Sequence, residues 1–167
     1  MPKSAATPAI TALQKKSIAH HVHTFNSGSD HFGEHAAAAL EKEGITPERI
    51  FKTLVIQLHA KGSGSDSLAV ACVPVTGSLN LKKAAAALGA AKASMADQHR
   101  AAAVTGYVPG GISPVGQKKR LPTVIHRAAM DHDTIFVSGG RRGLDVELAP
   151  ADLVAITQAE VADIAAP

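Results

Sequence analysis

The sequence predicts one α/β domain built on a mixed, strongly twisted sheet. Three observations carry this. The chain has 167 residues, the length of a single domain. Strand-like and helix-like segments alternate along it without an internal repeat or linker. Trp is absent, Tyr occurs once and Phe four times, so the core has to be aliphatic. With 46% hydrophobic and 19% charged residues the balance is ordinary for a globular protein. A chain of this size buries roughly two-thirds of its unfolded surface and needs no staples. The domain is taken to span residues 1–167.

Thr7-Pro8 opens a helix, because Thr suits the N-cap and Pro the first turn; Ile10, Leu13 and Ile18 give it an apolar side. His21 to Phe25 alternates like a short strand, and residues 26–33 form a loop. Glu34 to Glu43 is Ala-rich and helical, closed by Gly44. Ile50 to His59 and Leu68 to Val75 are strands joined by a flexible hairpin connection. Asn80 to Leu88 is a second Ala-rich helix, ended by Gly89, and Met95 to Ala103 a third short one. Thr123 to His126, Thr134 to Ser138 and Leu144 to Leu148 are strands, the last two joined by a tight turn over 139–143. Pro150 to Gln158 is helical, and Glu160 to Ile164 adds a final strand.

Net charge is +3 and the pI about 9.1, too mild for a polybasic DNA-binding protein but compatible with a local anion-binding patch. Cys72, the only cysteine, excludes a disulfide framework and a four-thiolate zinc site. Nine histidines, five in the N-terminal third, lack any metal-ligand spacing, so no metal or cofactor is expected. No run nears the roughly 18 apolar residues of a membrane span, and no leader pattern opens the chain. The expectation is a soluble, cytoplasmic protein.

Three segments can carry chemistry. On the strand from Ile50, one face reads Ile50, Lys52, Leu54, Ile56, Leu58, with Lys52 its only polar member. That ammonium either snorkels to the rim or stands at the mouth of a pocket to meet an anion. GYVPGGISPVGQKKR, residues 106–120, holds four glycines and two prolines before a cationic run. Its backbone could connect two elements or cradle an anionic oxygen; it matches neither phosphate-loop fingerprint. Lys118, Lys119 and Arg120 suit a nucleic-acid backbone or simply a solvated face. In SGGRRGLD, residues 138–145, a hairpin could bring Ser138 and Asp145 together, or the carboxylate could be solvated turn chemistry. Cys72 sits in an apolar strand and reads as an inert core thiol.

FKTL, VACVPVTGSLNLKKAAAALGA, MAD, TGYVPGGISPVGQKKRLPTVI and TIFVSGGRRGLDVEL, co-linear over roughly residues 8 to 164, closely resemble the YbaK family of free-standing aminoacyl-tRNA deacylases. That family is related to the editing domain of bacterial prolyl-tRNA synthetases. The resemblance implies a curved, barrel-like mixed sheet surrounded by helices, no metal, and hydrolysis of Cys-tRNA(Pro) in trans. It implies that Lys52 is the key active-site cation, with Thr53 beside it. Gly110, with Gly111, Ile112 and Ser113, would receive the 3′ end of the tRNA. Ser138 and Asp145 match pocket positions, and Phe32 matches an aromatic that lines the pocket. Phe25 stands where relatives often have Tyr, which removes a phenolic hydroxyl, and Pro109 stiffens the loop. The implied chemistry is attack by the substrate's own cysteine thiol on its ester. The implied partners are tRNA(Pro) carrying cysteine and prolyl-tRNA synthetase as a docking site, with no membrane or DNA. Another mischarged tRNA such as Ala-tRNA(Pro), or a tRNA-binding module without catalysis, are the alternatives.

Overall fold

A computed structural model describes residues 6–25, 40–41, 43–62 and 64–166. In chain order these residues form α1 (Pro8–Lys15), β1 (His20–Thr24), β2 (Phe51–His59), β3 (Ser67–Pro74), α2 (Leu81–Ala87), β4 (Lys92–Met95), α3 (Gln98–Thr105), β5 (Thr123–His126), β6 (Ile135–Arg141), β7 (Leu144–Leu148), α4 (Pro150–Thr157) and β8 (Glu160–Ala162). Single 3-10 turns precede β2 and β6.

The helix starts follow from their caps. Thr7 accepts from the Ile10 N–H through its side chain, Asn80 from Lys83 and Asp97 from Arg100, each satisfying a donor the first turn leaves open. Pro8 and Pro150 stand in first turns, where no N–H is needed. The segment expected as a helix from Met95 divides differently. Lys92–Met95 pairs antiparallel with β2, and the helix begins only at Gln98, after the Asp97 cap. The expected helix over 34–43 lies mostly outside the described residues; its end is visible, with Gly44 at φ +82°.

The strands form two sheets. One has the order β1-β7-β6, all antiparallel; the other runs β4-β2-β3-β5-β8, antiparallel through β3 and parallel beyond it. An isolated parallel bridge between Ile50 and Phe136 ties the entry of β2 to β6. The domain is mixed α/β as expected, and among the described residues the two bridged sheets do not close into a continuous barrel.

Alternation assigns the strands' two faces to separate cores. Phe51, Val55, Val70 and Cys72 join Val137, Leu144, Val146 and α1 in the main core. Ile56, Leu58, Ala69, Ala71 and Val73 pack on α2 with Ile164. A third, small cluster of Leu40, Ile50 and Phe136 seals the bridge between the sheets. Lys52 follows Ile50 on its face of β2, between the second and third clusters.

Candidate functional site

The site forms where the two sheets part. β4 pairs with β2 over residues 56–59, the Ala96 N–H donates to the Val55 carbonyl, and β6 bridges the chain at Ile50, so the edge of β2 over residues 51–54 has no ladder partner among the described residues. The tip of the glycine-rich segment covers this gap. There Val108 to Gly111 form a tight turn, with the Gly111 N–H donating to the Val108 carbonyl at 2.9 Å. Pro109 and Gly110 (φ +85°) occupy its central positions, the pairing a type II turn requires. Thr53, Leu54, Ala101, Gly110 and Ile112 line a cleft of about 190 Å³ between the turn and the strand edge.

The turn is anchored on both sides. Arg142 Nε donates to the Pro109 carbonyl at 2.8 Å. A Cβ on Gly111 would lie 2.9 Å from the Arg141 Cα and the Arg142 N, so the backbones touch only because the residue is glycine. Further along, the buried Tyr107 hydroxyl donates to the Val115 carbonyl at 2.6 Å and holds the rest of the segment down. The only tyrosine thus shapes the loop, a role its isolated place in the sequence does not signal.

Ser138 and Asp145 are direct cross-strand partners on β6 and β7, the juxtaposition expected from the hairpin. Both chains share a face with Phe136 and Glu147. Because β2 and β6 run parallel from the Ile50–Phe136 bridge, Lys52 and Ser138 each lie two residues beyond it on one face. Thr53 leaves β2 on the other face. The candidate residues thus flank the open strand edge in two groups: Lys52, Ser138 and Asp145 on one side, Thr53, Gly110 and Ile112 on the other.

The polar groups of this region are underpaired. Asp145 is 7% exposed, and burial, unopposed by any hydrogen bond or ion pair among the described residues, pushes its carboxyl up to about 7. The solvated carboxylate considered from sequence is therefore excluded. Lys52 has no polar partner among the described residues either. Thr53 Oγ1 is buried, with no polar neighbour of hydrogen-bonding geometry and only a weak contact with the Cys72 thiol. Its cross-strand neighbour Cys72 has its thiol pushed up to about 12 by burial, which the Thr53 hydroxyl opposes only in part, as an inert core thiol should be. Ser138 Oγ accepts from the Gly140 N–H.

Other expected residues fall elsewhere. Ser113 is fully buried and its hydroxyl accepts from the Val115 N–H, so its side chain faces the interior. Phe25 is half-buried beside the β6–β7 turn, its N–H donating to the Gly143 carbonyl. Lys118 and Lys119 are exposed, and Arg120 lines a different cavity. Phe32 lies outside the described residues.

The sequence reading missed one constellation. On the Asp145 face of β7, Glu147 accepts from Thr134 Oγ1 (2.6 Å), His23 Nε2 (3.0 Å) and Arg49 (3.2 Å). His23 and Arg49 both pack against the Phe136 ring. Burial raises the Glu147 carboxyl, but the bonds from Thr134 and His23 and the charges of His23 and Arg49 outweigh it and hold the group below its ordinary value. Among the described residues no three His, Cys, Asp or Glu side chains converge as metal ligands, and no helix is long and apolar enough to cross a membrane.

Comparison with known proteins places this geometry. Residues 33–156 match the aminoacyl-tRNA editing domain. A protein of Enterococcus faecalis, EbsC, described as a candidate Cys-tRNA(Pro)/Cys-tRNA(Cys) deacylase, is 35% identical over 158 residues, covering 95% of this chain and 92% of its own. Among solved structures, a candidate trans-editing enzyme for prolyl-tRNA synthetase superimposes with a TM-score of 0.81 at 24% identity, over 100% of this chain and 99% of that one. A scaffold carrying a computationally grafted epitope gives 0.80 at 25% identity over the same shares.

Proposed function

Because the chain belongs to the aminoacyl-tRNA editing domain family, we propose that it is a trans-editing deacylase that removes cysteine from mischarged Cys-tRNA(Pro). The observation that carries this reading is the end-to-end likeness to EbsC, together with an open strand edge flanked by Lys52 and Asp145, neither of which has a polar side-chain partner among the described residues.

The 3′-terminal adenosine and its ester enter the gap beneath the Pro109–Gly110 turn. Lys52 supplies a positive field where the ester carbonyl develops negative charge, a stabilisation that costs no reorganisation at the moment of reaction. The cysteine sulfur attacks its own carbonyl carbon. A C–S bond forms, the bond to the ribose oxygen breaks, and a cyclic thiolactone leaves. The thiol proton ends on the ribose hydroxyl, and Asp145, ionising near pH 7, is suited to hold it in transit. Catalysis is then largely positioning. Prolyl-tRNA synthetase fits as a docking partner, because this chain's modest charge leaves tRNA selection to another surface.

The test is single-turnover deacylation of Cys-, Ala- and Pro-tRNA(Pro), with Cys-tRNA(Cys) included because the EbsC description names it. Cys-tRNA(Pro) is expected to react fastest, and alkylating its thiol to abolish turnover. Rapid release of alkylated cysteine would mean that water attacks instead. Preference for Ala-tRNA(Pro), or no turnover at all, would overturn the reading.

A further inference from the structure

We propose that the cavity between the end of α1, residues 114–121 and the end of α4 is a second nucleotide subsite. It would hold the phosphate and base of a tRNA nucleotide upstream of the aminoacylated adenosine. The inference rests on the deacylase reading above and extends it to residues that reading does not use.

The cavity, about 210 Å³, is lined by Lys15, Lys16 and Arg120 among apolar walls that include Pro114, Leu121 and Ile156. None of the three cations has a hydrogen-bond or ion-pair partner among the described residues. Lys15 and Lys16 offset the negative end of the α1 dipole, which accounts for a cation there. It does not account for Arg120, which arrives from a non-helical segment, or for three like charges around one hollow. Their mutual repulsion is relieved by an anion. Polar groups that could have bound a small ligand are already committed: Gln117 Nε2 donates to the Ser113 carbonyl, and the Thr157 hydroxyl to the Leu153 carbonyl. Cationic rim and apolar wall together suit a phosphate attached to a planar base.

The cavity also opens along α1 towards β6. A shallower hollow shares Ala12 and Lys15 with it and runs along α1 to Thr11, Pro8 and Thr7. Thr7 Oγ1 donates to the Gly139 carbonyl at 2.6 Å, next to Ser138. At 1.5 Å per residue the helix spans about 12 Å. A single strand that passes the edge of β6 at Gly139 on its way to the candidate site would run along α1 and bring an upstream phosphate to the cations. The same track is fixed from below, since a Cβ on Gly116 would meet the Pro8 carbonyl oxygen at 2.5 Å.

Three measurements on the Lys15→Ala/Lys16→Ala double variant decide it, with Lys15→Glu/Lys16→Glu as the sharper charge reversal. For Cys-tRNA(Pro), KM should rise about tenfold with kcat nearly unchanged. For uncharged tRNA(Pro), followed by fluorescence anisotropy, the slope of log affinity against log salt should become shallower by about one for each phosphate no longer neutralised. For 2′(3′)-O-cysteinyl adenosine, which has no upstream nucleotide, the rate should stay within about twofold of wild type. Unchanged KM and unchanged salt slope would overturn the subsite and leave the lysines as dipole partners. An equal loss on cysteinyl adenosine would show that they act through the fold instead. If the wild-type protein deacylates nothing, the function proposed above fails, while the anisotropy slope still decides whether the cavity holds a nucleotide.

Discussion

Two carboxylates two residues apart on β7 live in opposite circumstances. Glu147 is held by Thr134, His23 and Arg49, and these bonds keep it ionised despite burial. Asp145 faces Ser138 across the hairpin with nothing among the described residues to offset its desolvation, and burial drives it towards the neutral form. One end of the β1–β7–β6 sheet is thus a closed polar network, and the other an open one on the face of Lys52, which has no polar partner among the described residues. Natural proteins rarely leave buried polar groups without partners, and where they do the partner is commonly a ligand. The difference separates a region that holds the fold from the region proposed above as the site.

The largest effect should come from closing the open end's titration. Asp145 has its folded-state carboxyl raised from 3.8 to about 7, so the stability gained from burying it neutral is complete below pH 3.8. It is lost as pH rises to about 7, beyond which a charge is buried. Between pH 4 and 8 this group alone should cost on the order of 4 kcal/mol. Asp145→Asn does not titrate. Its stability relative to wild type, read from urea midpoints at pH 4, 6 and 8, should therefore improve steadily with pH. A difference that stays constant with pH would mean that Asp145 is as well paired as Glu147.

Lys52→Ala tests the same end by function. A single well-placed electrostatic group is worth about 10²-fold in rate, or about 2.7 kcal/mol. Single-turnover deacylation of Cys-tRNA(Pro) should fall by at least that much while circular dichroism stays unchanged, because a half-buried lysine between two clusters adds little to the core. Lys52→Arg should rescue only in part, since a planar guanidinium projects its charge differently from a compact ammonium. A folded Lys52→Ala protein with near wild-type rate would return Lys52 to a lysine that merely snorkels out of the sheet.

Much of this contrast was legible in the sequence, but not all of it. The caps at Thr7 and Asn80, the β2–β3 and β6–β7 hairpins and the burial of Cys72 follow from local pattern, because each depends on neighbours in the chain. The Ser138–Asp145 pairing was visible for the same reason. β4 was not, since AAKASM carries four residues of edge strand with hardly any β-branched signal. The Ile50–Phe136 bridge joins positions far apart in sequence, so the shared face of Lys52 and Ser138 was not legible there; the family resemblance implied only that both belong to one pocket. The Glu147 network draws on β1, the turn before β2 and the start of β6, and no window of sequence contains it. From the strand pattern alone Asp145 and Glu147 are equivalent polar positions; only the fold tells them apart.

Breaking the closed end should have the smallest effect, and on stability rather than rate. Glu147→Gln keeps the shape of the side chain but removes the charge that Arg49 and His23 address. A hydrogen bond to a charged group contributes about 1.5–3 kcal/mol, and the amide oxygen keeps part of this, so a loss of about 1–2 kcal/mol is expected at pH 7. Glu147 has a depressed carboxyl, so its contribution is fully present above its unfolded value of 4.5 and disappears as pH falls through the lower folded-state value. The gap between variant and wild type should accordingly close in acid, opposite in direction to the Asp145 difference. Deacylation should change by less than about tenfold, well short of the Lys52 effect. If Glu147→Gln instead abolished activity while remaining folded, the network would extend into the site through His23, the cross-strand partner of Asp145, and the two ends of the sheet would have to be treated as one machine.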